Sequence, residues 1–273
     1  MTKFSRRIGM ALIAGAAGLA VLVPLQSLAQ PAASAQQQAK PTVVLVHGAF
    51  ADSSSWDGVV RGLQARHYPV IAAANPLRGP KFDAAAVASV VDSIKGPVVL
   101  VGHSYGGSVI SAAASGKTNV KALVFVAAFA PDAGETALGL TGKFPGSTLG
   151  PTLAPPVPLP DGGKDLYIQQ DKFPAQFAAD VPVGKARLMA VGQRPIAEAA
   201  LNEPSSEAPA WKSVPSWSVY GSGDKNIPPA ALAFMAERAK SVKTVVVKGA
   251  SHVVMTSHPD AVAKLIAEAA SAR

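Results

Sequence analysis

Residues 98–107 read Val-Val-Leu-Val-Gly-His-Ser-Tyr-Gly-Gly: an apolar strand, then Gly-x-Ser-x-Gly, then a stretch that favours a helix. A chain that turns from strand to helix within so few residues forces Ser104 into a strained backbone conformation, and Gly102 and Gly106 avoid the clashes that side chains would cause there. The strain points the serine hydroxyl outward, while the following helix offers its amide end to an anion. The spacing therefore predicts that Ser104 is a nucleophile and that the two glycines support its turn.

A serine hydroxyl needs a base that removes its proton and an acid that orients the base. The histidines of the chain are His47, His67, His103, His252 and His258. His252 follows the last predicted strand, at the same carboxyl edge as Ser104, and is the predicted base. His47 and His103 are interpreted as supports of their loops. His258 is interpreted as a capping or surface residue, and His67 has no evident role.

The predicted orienting acid is Asp224, which ends the sequence Gly-Ser-Gly-Asp directly after another predicted strand. Its position at a strand end places it at the same sheet edge as Ser104 and His252. Asp132, which follows the preceding strand, is the alternative acid. Its position favours a loop residue at the start of an insertion.

A tetrahedral intermediate also needs hydrogen-bond donors for its oxyanion. Residues 43–50 predict a strand that ends in a tight His47-Gly48 turn. The amide of Ala49 in that turn can face Ser104, and the amide of Tyr105 provides a second donor. These two backbone groups are the predicted oxyanion hole.

Beyond residue 41, short β-rich runs alternate with helix-length amphipathic segments. This alternation predicts an α/β fold, a mostly parallel sheet of about six strands flanked by helices. The predicted strands are residues 43–47, 70–74, 97–102, 121–127, 216–220 and 244–247. The predicted helices are residues 55–66, 83–94, 105–115, 229–240 and 260–270.

The alternation stops at about residues 131–214, where glycine and proline are dense and strand-like runs are absent. This segment is predicted to be a helical lid, inserted after the fourth predicted strand and lying over the edge where such sheets bind ligands. Short helices are expected at residues 165–178, 183–191 and 196–201. Residues 151–160, which are rich in proline, are expected to form an extended loop.

Residues 1–29 have the pattern of a secretory signal peptide: basic residues, an uncharged apolar run, and Ser-Leu-Ala before the cleavage point. An uncleaved membrane anchor is the alternative, because the run approaches the ~20 residues that span a bilayer. Glycines and a proline in the run favour cleavage, and the export route, Sec or twin-arginine, stays open. Residues 30–41 are a polar linker. The folded domain is therefore predicted to comprise residues 42–273 of a periplasmic or secreted protein with no stable membrane association.

The composition excludes several other chemistries. The chain has 273 residues and no cysteine, which excludes a disulfide framework, a thiol nucleophile and cysteine-ligated metals. The net charge is +8, but four of the 25 basic and none of the 17 acidic residues lie in residues 1–41, which leaves +4 for the rest. The remaining basic residues are scattered, so no nucleic-acid partner is predicted. The predicted chemistry needs no metal and no cofactor, and a homodimer stays open.

Four motifs together carry a resemblance to a known family. They are Leu-Val-His-Gly-Ala-Phe (45–50), Gly-His-Ser-Tyr-Gly-Gly (102–107), Gly-Ser-Gly-Asp-Lys-Asn-Ile-Pro (221–228) and Gly-Ala-Ser-His-Val-Val-Met-Thr-Ser-His-Pro (249–259). Through these motifs, residues 41–270 resemble the α/β-hydrolase superfamily. More narrowly, they resemble its branch of plant methylesterases, hydroxynitrile lyases and uncharacterised bacterial relatives. The resemblance implies an α/β-hydrolase fold with a triad of Ser104, Asp224 and His252. It also implies that Ala49 and Tyr105 lend the oxyanion amides.

The same resemblance separates ester hydrolysis from lyase chemistry. Hydroxynitrile lyases of this branch have a threonine after the first-motif histidine and a lysine after the catalytic histidine, where this chain has Gly48 and Val253. Without that lysine there is no evident cation to stabilise departing cyanide. A secreted serine carboxylesterase that cleaves small or aromatic esters is therefore predicted. Other α/β-hydrolase chemistry (lyase, C–C hydrolase, cofactor-free perhydrolase) and a non-catalytic small-molecule binding protein stay as alternatives.

The substrate pocket is expected to be mainly apolar. Its candidate lining residues are Phe129, Phe144, Leu149, Leu153, Leu159, Tyr167, Phe173, Phe177, Leu188 and Met189. Most of these side chains are expected to pack the lid onto the core.

Overall fold

A computed structural model describes residues 40–272 of the chain. The strands in this part of the chain are β1 (Thr42–Val46), β2 (Val70–Ala73), β3 (Val98–His103), β4 (Val120–Val126), β5 (Val157–Pro158), β6 (Lys164–Leu166), β7 (Ile196–Ala197), β8 (Ser216–Gly221) and β9 (Lys243–Val247). They form a six-stranded sheet and a separate three-stranded sheet. All six strands predicted from the sequence are found in the larger sheet, within one residue at each end.

The larger sheet has the strand order β2-β1-β3-β4-β8-β9, and every neighbouring pair in it is parallel. The chain therefore adds β2 on one side of β1 and then returns to add β3, β4, β8 and β9 on the other side, so the strand order reverses between β1 and β3. Parallel sheets bind ligands at the carboxyl edge beside such a reversal. The register pairs Val46 with Gly102, so the loops that follow β1 and β3 leave the same edge side by side.

Helices connect the strands. In chain order they are α1 (Asp57–Gln64), α2 (Pro80–Asp92), α3 (Gly106–Ala113), α4 (Ala137–Gly142), α5 (Phe173–Phe177), α6 (Val183–Gly192), α7 (Glu198–Asn202), α8 (Pro229–Arg238), α9 (Val254–Ser257) and α10 (Pro259–Ser271). Three of them, α2, α8 and α10, begin at a proline, whose fixed φ and missing N–H suit the first helical position. Because Pro80 takes that position, α2 begins three residues earlier than the sequence predicts.

Helices cover both faces of the larger sheet: α1 packs against α10, and α2 packs against α3. Every residue of β3 and of β8 is buried as a result. This burial explains why β3 reads as a continuous apolar run, whereas β8 has Ser216 and Ser218 between its apolar residues. At the sheet edge, β9 is only partly buried. The predicted fold class, an α/β sheet flanked by helices, is confirmed.

The insertion between β4 and β8 lies where the sequence predicts it, but it is not purely helical. It contains α4 to α7 and also the small antiparallel sheet β5-β6-β7. The prediction that residues 131–214 lack strands was therefore wrong. Part of the predicted helix 165–178 is strand β6, followed later by the single turn α5. Strands of two or three residues are too short to leave an alternating pattern in the sequence.

The predicted signal peptide and all but the last two residues of the predicted linker lie outside the described residues. Strand β1 begins at Thr42. Among residues 40–272, no helix is both long and apolar enough to cross a membrane.

Candidate active site

Ser104 lies at the turn between β3 and α3 with a φ of +53°, in the left-handed region that non-glycine residues rarely adopt. The neighbouring strand holds this turn, since the Ser104 amide donates to the Val126 carbonyl at 3.2 Å and the Phe129 amide donates to the Ser104 carbonyl at 3.1 Å. Both backbone groups of Ser104 are thus tied to the segment that continues β4. The turn predicted from the sequence has the expected strained serine.

The two glycines of the turn stand where the backbone approaches itself closely. A Cβ on Gly102 would lie 2.5 Å from the Gly106 carbonyl oxygen, and a Cβ on Gly106 would lie 2.6 Å from the Val46 carbonyl oxygen. Neither backbone atom can move aside without shifting buried β1 or the start of α3. Both positions therefore require glycine for space.

Asp224 and His252 meet at the carboxyl edge of the sheet. The His252 Nδ1 lies 2.7 Å from Asp224 Oδ2, and both side chains are fully buried. The other carboxylate oxygen, Oδ1, accepts from the amides of Asn226 and Ile227 at 2.8 and 3.0 Å. With both oxygens occupied, the carboxylate is held in place and His252 is directed to donate from Nδ1.

The second ring nitrogen of His252, Nε2, is buried and has no hydrogen-bond partner among the described residues. A histidine that donates from Nδ1 carries a lone pair on Nε2, which can accept a proton. Phe177 of α5 packs against the His252 ring, with centroids 5.1 Å apart. The insertion therefore shields this imidazole from water and leaves one nitrogen available.

His103 joins the Ser104 turn to the His252 loop. Its Nε2 lies 3.2 Å from the His252 carbonyl oxygen, and the two rings lie 4.8 Å apart. Burial, with a smaller contribution from neighbouring His252, holds the pKa of His103 well below its ordinary value. A neutral His103 donates from Nε2 to that carbonyl. This contact brings the segments that carry Ser104 and His252 together.

The turn after β1 supplies the other predicted donors. The amides of Ala49 and Tyr105 donate to no acceptor among residues 40–272, and both residues border the same cavity as Ser104. A Cβ on Gly48 would lie 2.6 Å from the Cβ of Ser104. Glycine at this position therefore lets the turn lie directly against the serine.

The His47 side chain holds this turn through two hydrogen bonds. Its Nδ1 donates to the Gly48 carbonyl at 3.0 Å, and its Nε2 accepts from the Asn75 amide at 3.0 Å. The Asn75 side chain in turn donates to the His47 carbonyl at 2.9 Å. Burial lowers the pKa of His47, which favours the neutral ring that this pattern needs. Its geometry is that of a loop support, as the sequence indicates.

A cavity of about 140 Å³, here called the Ser104 cavity, opens beside the serine. Its walls come from the turn after β1, the Ser104 turn, the insertion and the loop after β8, and no acidic or basic side chain lines it. Large apolar side chains line it, among them those of Phe50, Phe129, Leu138, Leu149, Leu153 and Ile227. Three of the predicted pocket residues, Phe129, Leu149 and Leu153, line it. Phe173 and Phe177 are fully buried instead, and Leu188 is exposed.

The remaining candidates lie elsewhere. Asp132, the alternative acid, pairs with Lys212 at 2.5 Å, and that hydrogen bond is the main reason its pKa is lowered. His67 is exposed. His258 occupies the N-cap of α10 without capping it through its side chain, and its Nδ1 lies 3.4 Å from Asp180 of the insertion. Neither histidine contacts Asp224.

One side-chain contact that shapes the site could not be predicted from the sequence. Tyr105, the residue that follows Ser104, donates its hydroxyl to the buried carboxylate of Asp83 at 2.7 Å and is anchored by this hydrogen bond. Burial raises the pKa of Asp83, and hydrogen bonds from the Arg78 amide and Tyr105 oppose the rise. The sequence placed Asp83 only as a helix start. Its contact with Tyr105 depends on the packing of α2 against α3, which no local pattern specifies.

Among the described residues, no three histidine or carboxylate side chains cluster as metal ligands would. The polar groups at the site are instead a strained serine, an acid-paired histidine and two backbone amides, arranged at the carboxyl edge of a parallel sheet. This combination of fold and site defines a hydrolase of the α/β class.

The comparisons with known proteins agree with this class. Residues 43–265 match the model of the alpha/beta hydrolase family. The chain is 24% identical over 251 residues to alpha/beta hydrolase nvfD of Aspergillus novofumigatus, covering 85% of this chain and 97% of that one. The chain belongs to the alpha/beta hydrolase family, as the sequence motifs predict.

Two solved structures are similar in fold. Polyneuridine aldehyde esterase matches with a TM-score of 0.72 and 21% identity, over 84% of this chain and 98% of that one. A pyrethroid hydrolase from Sphingobium faniae JZ-2 matches with a TM-score of 0.67 and 22% identity, over 85% and 98%.

Proposed function

We propose that this chain is an exported serine carboxylesterase that hydrolyses compact, uncharged carboxylic esters, with Ser104, His252 and Asp224 as its catalytic residues. The observation that carries the proposal is the buried pair of His252 and Asp224, which leaves His252 Nε2 free in a loop that the His103 contact joins to the turn of the strained Ser104. The names of the similar structures, an esterase and a pyrethroid hydrolase, support ester substrates.

In the first step, Ser104 Oγ attacks the ester carbonyl carbon while His252 Nε2 takes the hydroxyl proton. Asp224 stabilises the imidazolium that forms, because its Oδ2 accepts the Nδ1 hydrogen bond. The carbon–oxygen bond to the alcohol then breaks, and His252 returns the proton to the leaving alkoxide. In the second half, water adds to the acyl-enzyme by the same proton route and releases the acid and free Ser104.

Each tetrahedral intermediate carries a negative oxygen. The amides of Ala49 and Tyr105 stabilise it, since both border the Ser104 cavity and neither donates elsewhere within residues 40–272. The positive end of α3 begins at the next residue, Gly106, and adds to the same field. No step requires a metal or an organic cofactor.

The Ser104 cavity supports the choice of substrate. Its volume of about 140 Å³ is close to the ~150 Å³ that accommodates a benzene ring in an engineered protein cavity. An apolar wall without charged side chains favours a neutral group over a carboxylate or an ammonium. Short alkyl and single-ring acyl groups fit these limits. The partner is thus a small ester, and neither nucleic acid nor a membrane is part of the proposal.

Hydrolysis of p-nitrophenyl acetate, butyrate and benzoate by the purified protein tests the proposal. We expect turnover that falls at least ~10³-fold in Ser104→Ala and in His252→Ala. His67→Ala is the matched control, because this exposed histidine lies away from the site, and it should keep wild-type rates. Undiminished turnover in Ser104→Ala would rule out the serine mechanism. Saturable binding of an ester without turnover by the wild type would instead support a binding protein.

A further inference from the structure

Asn226 has a polar side chain in the Ser104 cavity that the mechanism leaves unused, although its backbone amide helps to hold Asp224. It lies two residues after Asp224 in the loop that follows β8, is buried, and lines the cavity together with Ser104. We infer that Asn226 determines specificity: its side-chain Nδ2 donates a hydrogen bond to a second oxygen on the substrate, such as an ether, carbonyl or hydroxyl oxygen. This inference rests on the proposed esterase function and names a subclass of its substrates.

The orientation of the Asn226 amide follows from its neighbours. Gln176 of α5 donates from Nε2 both to the Lys225 carbonyl and to Asn226 Oδ1, each at 3.0 Å. A backbone carbonyl can only accept, so the Gln176 group that faces it must be the NH₂ group. The Asn226 atom that faces the same NH₂ group must then be its oxygen. The Thr148 hydroxyl completes the chain by donating to Gln176 Oε1 at 2.6 Å.

With Oδ1 engaged by Gln176, the end of the Asn226 side chain left for a ligand is Nδ2. Among the described residues, no acceptor receives a hydrogen bond from it. The Gln176 hydrogen bond holds the side chain in this orientation, and the main chain of Asn226 is fixed because its backbone amide donates to Asp224 Oδ1 at 2.8 Å. A fixed NH₂ group at a mainly apolar wall favours a ligand that brings an oxygen acceptor to it.

The other polar side chains of the cavity differ from Asn226. The hydroxyl of Thr141 donates to the Ala137 carbonyl of its own helix at 3.0 Å. Ser147 is only half-buried, and its Oγ lies 3.5 Å from the Leu149 amide. Among these side chains, Asn226 is therefore the one that is buried and held in place and whose NH₂ group donates to no acceptor in residues 40–272. A purely alkyl ester would leave that donor unsatisfied, whereas an oxygen-bearing ester of the same size would satisfy it.

The test compares esters that differ by one oxygen. Three pairs exchange CH₂ for O along the acyl chain: p-nitrophenyl butyrate and methoxyacetate, pentanoate and 3-methoxypropanoate, and hexanoate and 4-methoxybutanoate. The quantity measured is the ratio of kcat/KM for the oxygen ester to kcat/KM for the alkyl ester. Comparing this ratio between variants removes the difference in intrinsic reactivity.

We expect Asn226→Leu to lower the ratio about tenfold for at least one pair. Thr141→Val, a near-isosteric loss of a hydroxyl from the same cavity, should leave all three ratios within about twofold of wild type. If Asn226→Leu does not fold, Asn226→Ala is measured in the same way. If all three ratios stay unchanged in Asn226→Leu, even where kcat/KM falls equally for both members of a pair, the inference is overturned and the esterase proposal still stands. A wild type that hydrolyses neither member of any pair would instead overturn the esterase proposal.

Discussion

The two carboxylate oxygens of Asp224 have different partners: one accepts from His252, and the other accepts from two backbone amides. Asp224→Asn keeps the size of the side chain but lets an NH₂ group face His252 Nδ1, which favours the wrong tautomer of the ring. We expect kcat to fall by about 10³- to 10⁴-fold at pH 7. Steady-state hydrolysis of p-nitrophenyl butyrate measures the change.

Asp132→Asn is the matched control for this substitution. Asp132 was the alternative acid in the sequence, and it pairs with Lys212 on the surface. Its removal should alter kcat by less than about twofold, since surface ion pairs contribute little. A large loss in Asp132→Asn with an active Asp224→Asn would reverse the assignment of the acid.

Tyr105 has a backbone role in the proposed oxyanion hole and a separate side-chain role. Tyr105→Phe removes the hydroxyl that donates to buried Asp83 but keeps the amide. We expect the free energy of unfolding to fall by about 1.5–3 kcal/mol, the typical cost of losing a hydrogen bond to a charged group, with kcat changed by less than about tenfold. Urea denaturation and kinetics on the same sample separate the two effects.

The control is Tyr220→Phe, because the hydroxyl of Tyr220 donates to no acceptor within the described residues. Its unfolding free energy should change by less than about 0.5 kcal/mol. Loss of activity in Tyr105→Phe at unchanged stability would show that the hydroxyl acts in the reaction instead.

At the residue scale, local motifs predicted most of the candidate site. Ser104, Asp224 and His252 each follow a predicted strand, so their approach to one edge could be derived from the alternation of strands and helices. Asn226 could not be found in this way, because its orientation depends on Gln176, fifty residues earlier in the insertion. Contacts between an insertion and a distant loop leave no periodic signal in a single sequence.

The insertion is attached at its base by Glu135, just before α4, and Arg238, the last residue of α8. The guanidinium donates to both carboxylate oxygens of Glu135, at 3.0 and 2.8 Å, and Lys143 donates to one of them at 2.8 Å. Burial alone would raise the pKa of Glu135, but these hydrogen bonds outweigh it and lower the pKa to about 2. The pair therefore ties the insertion to the sheet domain most firmly when Glu135 is ionised.

This ion pair predicts a pH-dependent stability. Since the folded pKa lies below the unfolded value, the contribution is present above pH ~4.5 and is lost as the pH falls towards 2. We expect Glu135→Gln to lower the free energy of unfolding by up to ~3 kcal/mol at pH 7, with the difference from wild type shrinking below pH 4.5. Urea denaturation of both proteins at pH 7, 5 and 3 measures it.

Glu237→Gln, one residue before Arg238, is the control because Glu237 is exposed and forms no ion pair within residues 40–272. It should match the wild type at every pH. A Glu135→Gln deficit that stays constant from pH 7 to pH 3 would mean that the carboxylate charge is not what stabilises the base of the insertion.

At the element scale, the sheet could be predicted within one residue at each strand end, whereas the insertion could not. The strands of the larger sheet have four to seven residues, and most of those residues are apolar. By contrast, β5 and β7 have two residues each, and α5 and α7 have five. Elements this short are stabilised by tertiary packing, so their own sequences say little about them.

At the scale of the whole molecule, the site lies where the sheet reverses direction, between β1 and β3, and the insertion after β4 covers it. Elements far apart in the chain thus contribute the proposed oxyanion donors, the proposed nucleophile, the His252–Asp224 pair and the apolar wall of the cavity. Four basic residues within residues 1–41 account for half of the net charge of +8. Residues 42–273 carry a net charge of only +4, which is too small to attract a charged partner strongly.

The proposed export is tested on the full chain. We expect expression in a Gram-negative host to place the protein in the periplasm or medium, with an intact mass that lacks residues 1–29 and a new N-terminus at Gln30. Ala29→Leu puts a bulky residue at the predicted cleavage point and should accumulate the precursor, whereas Ala32→Leu should be processed normally. A wild type that keeps residues 1–29 in the membrane fraction would favour the anchor instead.

The nucleophilic role of Ser104 is tested most directly by a phosphonofluoridate probe, which phosphonylates activated serines, followed by intact-mass and peptide mass spectrometry. The wild type should gain one adduct on the peptide that contains Ser104, and p-nitrophenyl butyrate should slow the labelling. Ser104→Ala should gain none. Equal labelling of Ser104→Ala, or an adduct on another residue of the wild type, would contradict the proposed catalytic site.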